Sequence, residues 1–292
     1  MFKNKYLLIC VFLFGLFTNS GYGQTDILAK EKIGFESTIE PLIDLERKIF
    51  FSDISDSISH FIIQKAEIYK KTEQYNDVIY TLERLSFSTL SDSLKTAIYY
   101  ELGLASFLNH NYQQSIAYTA QSLHSDFSNN LYLSLNQLLI TLAYNELEKY
   151  DLGFENALLF ANQLEIPSSE KEILQNDIHQ FYSEKNRPRF KKPSKAETMS
   201  AIIPGLGQCY SGYYAEGIAN FTLHALLLSL SAYAVYETYY LTAYFGGINL
   251  LIRFYQGGTR RSIYLANKRN YILKKEYNKK IKDRMLKDFK LN

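Results

Sequence analysis

The sequence predicts an all-α chain: a helical repeat solenoid, then a transmembrane helical hairpin, then a basic C-terminal helix. Three observations predict it. Tyr75, Tyr112 and Tyr150 stand 37 and 38 residues apart, each opening an apolar stretch behind a small residue (Ala66, Gly103, Ala143). A box, Ile203-Pro204-Gly205-Leu206-Gly207-Gln208, is followed by Ile218 to Tyr236, which holds no charge over 19 residues. The charge also reverses along the chain. Gln24 to Glu184 carries 11 basic and 24 acidic residues, a net of −13, whereas Arg260 to Asn292 carries 12 basic and 3 acidic, a net of +9.

At the N-terminus, Lys3 and Lys5 precede an apolar run from Tyr6 to Phe17, and Gly21-Tyr22-Gly23 follows. That order predicts a secretory signal peptide over 1–23, cleaved after Gly23, because the run is short for a membrane span. Export to the cell envelope is the consequence. Cys10 leaves with the peptide, so Cys209 is the sole cysteine of the mature chain and no intramolecular disulfide forms.

The repeat region is expected over 24–184. In each unit a small residue lets one helix approach the next, the Tyr turns the corner, and apolar positions pack on the following pair: Val78, Leu82 and Leu85; Ser115, Ile116 and Leu123; Phe154, Ala157 and Phe160. A period of this size signals a solenoid whose pairs bury their apolar faces on one another. Over about residues 55 to 165 the pattern resembles the tetratricopeptide repeat, in a degenerate form without the consensus Trp. A helix from about Ser37 to Phe51 is expected to cap the front. Pro167 and a capping box, Ser169-x-x-Glu172, open a closing helix with Ile173, Leu174, Ile178, Phe181 and Tyr182 on one stripe.

The resemblance implies a groove lined by the first helices of the pairs: His60, Ile63, Glu67, Lys70 and Lys71; Tyr100, Leu104, Phe107 and Leu108; Leu138, Leu142, Asn145 and Glu146. An apolar floor with polar ends suits a peptide or a partner helix. In the competing reading, the longer loops fold over this floor, or it packs on the first helix as ordinary core.

Residues 185–198 hold six bases between Lys185 and Lys195 and two prolines, Pro188 and Pro193, and read as a basic linker. The membrane module is expected over 199–259. Met199 to Tyr210, broken by Pro204, Gly205 and Gly207, is a half-helix or re-entrant segment. Ile218 to Tyr236 is the span candidate, and Tyr239 to Phe254 is a second apolar run. Tyrosines at 210, 213, 214, 236, 239 and 240 suit interfacial belts, and glycines at 217, 246 and 247 suit close helix contact. The box, with Tyr210, Gly212 and Gly217 before the apolar pair and Phe254-Tyr255-x-Gly257-Gly258 after it, resembles a family of uncharacterised bacterial envelope domains, two-helix membrane modules often fused to exported repeats. The resemblance implies membrane-box roles for Pro204, Gly205, Gly207, Gln208, Tyr210, Gly212, Gly217, Gly257 and Gly258, and no activity.

The tail, 260–292, reads as a basic amphipathic helix with Tyr277, Ile281, Met285 and Phe289 on one stripe, able to lie on anionic lipid or stand in solvent. Export argues against nucleic acid as its partner. A two-span hairpin returns this tail to the side of the exported repeats, against the positive-inside preference. Either Met199 to Tyr210 completes a third crossing or the basic segments hold lipid from outside. A chain ended near Glu184 is expected to be soluble and folded.

No catalytic constellation emerges. Gly205-Leu206-Gly207 lacks Rossmann and P-loop spacing, and the histidines at 60, 110, 124 and 179 lack metal-ligand spacing. His224 and Asn220 read as polar groups pairing between apolar helices. The reading is a membrane-tethered envelope scaffold that binds a protein or peptide through its repeats, without catalysis, cofactor or metal, and with anionic membrane lipid as a second partner. The alternatives are a component of an envelope transport or assembly complex and, remotely, a thiol enzyme using Cys209.

Overall fold

The computed structural model describes residues 39–52, 54–123 and 130–287. The expected signal peptide, His124 and Phe289 lie outside the described residues. Every described regular element is helical, with no strand among the described residues, so the all-α prediction holds. The chain divides into two compact units, Met1–Ser91 and Asp92–Asn292.

In the first unit, α1 (39–51), α2 (Ser55–Lys71) and α3 (Tyr75–Leu82) meet through residues at helical spacing. Leu45 and Ile49 from α1, Ile62 and Ala66 from α2, and Val78, Ile79 and Leu82 from α3 are buried. Glu46 accepts from Lys65 Nζ at 2.6 Å and from Arg84 Nη1 and Nη2 at 3.0 and 2.9 Å, which ties α1 to α2 and to the chain beyond α3. These hydrogen bonds, Arg84's foremost, hold the carboxyl at about 2, below its usual range.

The second unit begins with neighbouring helix pairs: α4 (Asp92–Leu108) with α5 (Tyr112–Leu123), α6 (Asn130–Glu146) with α7 (Tyr150–Gln163), then α8 (Ser168–Tyr182). Small residues stand where helices cross. A side chain added at Gly103 would strike Thr119 Oγ1, one at Gly153 would strike Asn145 Oδ1, and Ala143 is fully buried. The expected capping box does not form: α8 starts at Ser168, its N-cap is Pro167, and no side chain caps it. Lys171 N bonds to the Pro167 carbonyl instead, at 3.0 Å.

The corners share one geometry. Glu73, His110 and Glu148 adopt left-handed φ of 59°, 62° and 60°, each two residues before the repeated Tyr. The next amide then reaches back to the last helical turn: Gln74 N to Tyr69 O, Asn111 N to Ser106 O, and Lys149 N to Tyr144 O, each at 2.9 Å. This is the 6→1 bond of the Schellman turn. Gly212 (φ 89°) and Thr238 (φ 64°) repeat it, with Tyr213 N on Gln208 O and Tyr239 N on Ala234 O. The sequence conceals it, because four of these five positions are not glycine.

Beyond α8, the basic linker leads into α9 (Pro193–Ile202), with Pro193 in its first turn. The chain reverses at the box, forms α10 (Leu206–Tyr210) and enters α11 (Tyr214–Tyr236). So Met199 to Tyr210 does not run through as one span; it folds back on itself. After Thr238, a short turn and a π segment (Ala243–Ile248) lead into α12 (Asn249–Lys287), 39 residues long. The basic tail is therefore the continuation of the second apolar run rather than a separate helix beginning at 260. α11 and the chain after it run antiparallel in one register, set by Glu216 with Arg261, Asn220 with Gly258 and Ser231 with Gly247.

Candidate functional site

Two junctions along α12 gather most of the residues singled out in the sequence. The first is the glycine box. Gly205 caps α10 at φ 94°, in the left-handed region, and a side chain there would collide with the Gly217 carbonyl. One at Gly207 would strike the Ala196 carbonyl and Ser200 Oγ, and one at Gly217 would meet Cys209 Sγ. Close approach brings polar groups within reach. Ser200 Oγ donates to Gln208 Oε1 at 2.8 Å and accepts from Gly207 N at 3.1 Å, while Gln208 Nε2 donates to the Gly258 carbonyl at 3.0 Å. Gln208 is 1% exposed, so these bonds satisfy its amide away from water.

Further bonds fasten α9 along α12. Ser262 Oγ, which donates to the Thr259 carbonyl at 2.7 Å, also lies 3.2 Å from the Ala196 carbonyl, and Tyr255 Oη donates to the Ala201 carbonyl at 2.7 Å. Asn270 accepts from Lys191 N at 2.7 Å and donates to Lys191 O at 2.8 Å. The linker is thereby pinned, and Lys192 N donates to Tyr210 Oη at 3.2 Å. Pro204 is half-buried in the turn, whereas Gly212 and Gly257 meet no atom at the Cβ position. Gly212 is required by its φ; the structure gives Gly257 no comparable reason.

The second junction seats the far end of α12 on the helix pairs. Tyr277, Ile281 and Met285 join Leu138, Tyr150, Phe160, Leu174, Ile178 and Tyr182 in one buried cluster. Around it, Lys274 Nζ donates to the Glu146 carbonyl at 2.8 Å, and Asn278 Nδ2 donates to Glu146 Oε1 at 3.0 Å and to the Asn145 carbonyl at 3.3 Å. Arg284 pairs with Asp177 at 2.6 Å, and Tyr277 Oη donates to the Phe181 carbonyl at 3.1 Å. Burial pushes the Tyr277 phenol up to about 12 and raises Tyr150 and Tyr182 as well. The opposite charges of the two halves thus meet inside one molecule, at Glu146, Glu148 and Asp177 facing Lys274 and Arg284.

This seat redistributes the expected groove. Leu138 is core, Leu142 packs on the same cluster, and Asn145 is fully buried with its amide bonded to Tyr182 Oη at 2.7 Å. Leu138 and Leu142 share that cluster with Tyr277, Ile281 and Met285, and the Asn145 carbonyl accepts from Asn278, so the chain's own tail takes up this end of the floor, where the sequence reading expected loops or the first helix. Tyr100, Leu104 and Phe107 are half-buried and Leu108 is exposed, with Tyr100 against the Tyr132 ring and Phe107 against Tyr112. In the first unit, His60, Glu67 and Lys70 are exposed and Ile63 is half-buried.

Cys209 is half-buried under Gly217. His224 Nδ1 lies 2.8 Å from the Asn220 carbonyl within its own helix, and its ring stands edge-on to Tyr255. No thiol–imidazole bond joins them among the described residues. The sequence reading missed Ser200, Ser262, Asn270 and Asn278; a Ser or Asn on an otherwise apolar or basic helical stripe was the available signal.

No protein-family model matches the chain, and no match is found among curated proteins or among solved structures.

Proposed function

We propose that this protein is a non-enzymatic, membrane-tethered scaffold of the cell envelope, holding a protein or peptide partner on its helical repeats and anchored by a transmembrane hairpin. The observation that carries this reading is the surface of α11. It is long and apolar enough to cross a membrane, and only 11% of its most apolar window is buried. Ile218, Phe221, Leu226, Leu228, Leu230 and Tyr233 are each more than half exposed. A soluble protein rarely leaves a contiguous apolar face this large uncovered. The run from Ile218 to Tyr236 measures about 28 Å at 1.5 Å per residue, close to a hydrocarbon core of about 30 Å. Lys3, Lys5 and the apolar run after them support export, and the box supports an envelope module.

The partner surface is the half-buried stretch of α4 around Tyr100, Leu104 and Phe107, with Leu108 exposed at its end. Carbonate-washed membranes test the tether: the full mature chain stays in the pellet and needs detergent, and a chain that stays in the supernatant overturns it. Phe107→Ala tests the surface. As an interface aromatic it weakens partner capture by about 1 to 3 kcal/mol with little change in melting. A loss of about 3 to 5 kcal/mol in stability without a binding defect would make Phe107 core. If detergent-solubilised protein brings down integral rather than soluble partners, the assembly-complex alternative replaces the scaffold.

A further inference from the structure

The base of the α11–α12 pair carries cations just past the edge of its apolar surface. On α11 that surface begins at Ile218, opposite Gly258 and Arg260 in the antiparallel register; on α12 its closely spaced run ends at Tyr255, with the exposed Tyr264 and Tyr271 among the bases beyond. α9 descends to the same edge, its exposed Ile202 and Ile203 near the Ala201–Tyr255 bond. Set back from this edge stand Lys191, Lys195, Arg260 and Lys268. Lys191 Nζ and Lys195 Nζ lie 4.8 and 5.4 Å from the Tyr210 ring centre, and Lys268 Nζ lies 5.9 Å from that of Tyr213. None of the four pairs with a carboxylate among the described residues. Glu216 pairs with Arg261 at 2.9 Å and also lies within the field of Lys268, and the exposed Glu197 follows Lys195 by two residues.

We infer that this collar binds the phosphates of anionic phospholipids in the leaflet next to the repeats, an inference that rests on the membrane tether proposed above. From Arg260 to Lys268 the collar is about 12 Å deep, enough to reach through a headgroup layer beyond the hydrocarbon. Tyr210 and Tyr213 place amphipathic rings at the interface, where tyrosine is favoured, and hold the ammonium groups over their faces. The two bonds from Asn270 fix the backbone at Lys191, so the collar is built into the fold rather than carried on a free linker.

The test reconstitutes the full mature chain in vesicles of phosphatidylcholine with a minor share of phosphatidylglycerol, extracts it in mild detergent and measures the lipid it retains. Wild-type protein should retain phosphatidylglycerol about fivefold above its bulk ratio, the effect expected of roughly one cation at an anionic surface. The preference should return to the bulk ratio in 1 M salt, where screening acts within about 3 Å. Combining Lys191→Gln, Lys195→Gln and Lys268→Gln should abolish it at low salt. Should that variant melt early, Arg260→Gln, at an exposed position, should lower the preference on its own. Retained lipid at the bulk ratio at every salt concentration overturns the collar and leaves the tether standing. A chain that leaves the vesicles without detergent overturns both.

Discussion

Gly205 and Gly207 do their work by lacking a side chain: one takes a left-handed φ beneath the Gly217 carbonyl, the other lies on the Ala196 carbonyl. A Val at both sites combines positive-φ strain, of order 1 to 3 kcal/mol, with two collisions against backbone that cannot rotate away. The double variant should lose membrane accumulation while the first unit keeps its helical protection in hydrogen exchange. Normal accumulation would show the box to be dispensable. Glu46 gives a second test at this scale. Its carboxyl sits at about 2 in the folded chain, against an unfolded value of about 4.3. Its contribution is therefore present above the unfolded value and lost as pH falls toward 2. It is half-exposed, so water screens the effect. Glu46→Gln should speed amide exchange in 39–51 at pH 6, and the difference should vanish near pH 2; an equal difference at both pH values would assign Glu46 a role other than its charge. The demand for glycine at the box was expected from the resemblance to the envelope modules, and the close contacts at Gly205, Gly207 and Gly217 agree with it. The roles of Ser200, bonded to Gly207 and Gln208, and of Ser262, against the Ala196 carbonyl, were not legible in the sequence, because a lone Ser on a helix looks the same paired or solvated.

At the scale of elements, α12 is the decisive helix. The sequence displays its stripe of Tyr277, Ile281 and Met285, but such a stripe binds lipid or protein by the same physics and names neither. The structure assigns it to protein: Ile281 and Met285 are each 1% exposed, against Leu174 and Ile178. The acidic excess of one half and the basic excess of the other were equally plain, yet their pairing across more than a hundred residues was not, since no local pattern links Asp177 to Arg284. The expectation for a chain ended near Glu184 changes accordingly. That fragment exposes the face which Tyr277, Ile281 and Met285 cover, and it should melt lower and aggregate, with a peptide spanning 262–287 restoring it. Ile281→Ala in the full chain should cost about 2 to 5 kcal/mol. Unchanged melting in both cases would place the tail outside the core. Alkali should act in the same direction: the buried phenols hold their protons above the unfolded value of about 10, so stability falls as pH rises from about 10 toward 12.

For the whole molecule, the tail seat fixes which segments lie together. α12 leaves the apolar pair, passes the box and ends in the core of the helix pairs, so the tether proposed above requires the helix pairs and the tail to share one side of the membrane. Among the described residues, α9 and α10 turn back at Pro204 and Gly205 and pack on α12, so Met199 to Tyr210 does not form the third crossing that the sequence left open. The all-helical architecture was readable from periodicity and uncharged length, which are properties of neighbouring residues. The fold-back of the tail depends on contacts between distant segments and stayed hidden. The measurement that bears most directly on this account is side-specific thiol labelling in sealed membranes, with single cysteines at Lys95, Glu237 and Lys279 in a Cys209→Ser background. The account predicts that Lys95→Cys and Lys279→Cys react with an impermeant reagent from one side, and Glu237→Cys, at the tip of α11, only from the other. Labelling of the 95 and 279 positions from opposite sides, or of all three from the same side, would contradict it.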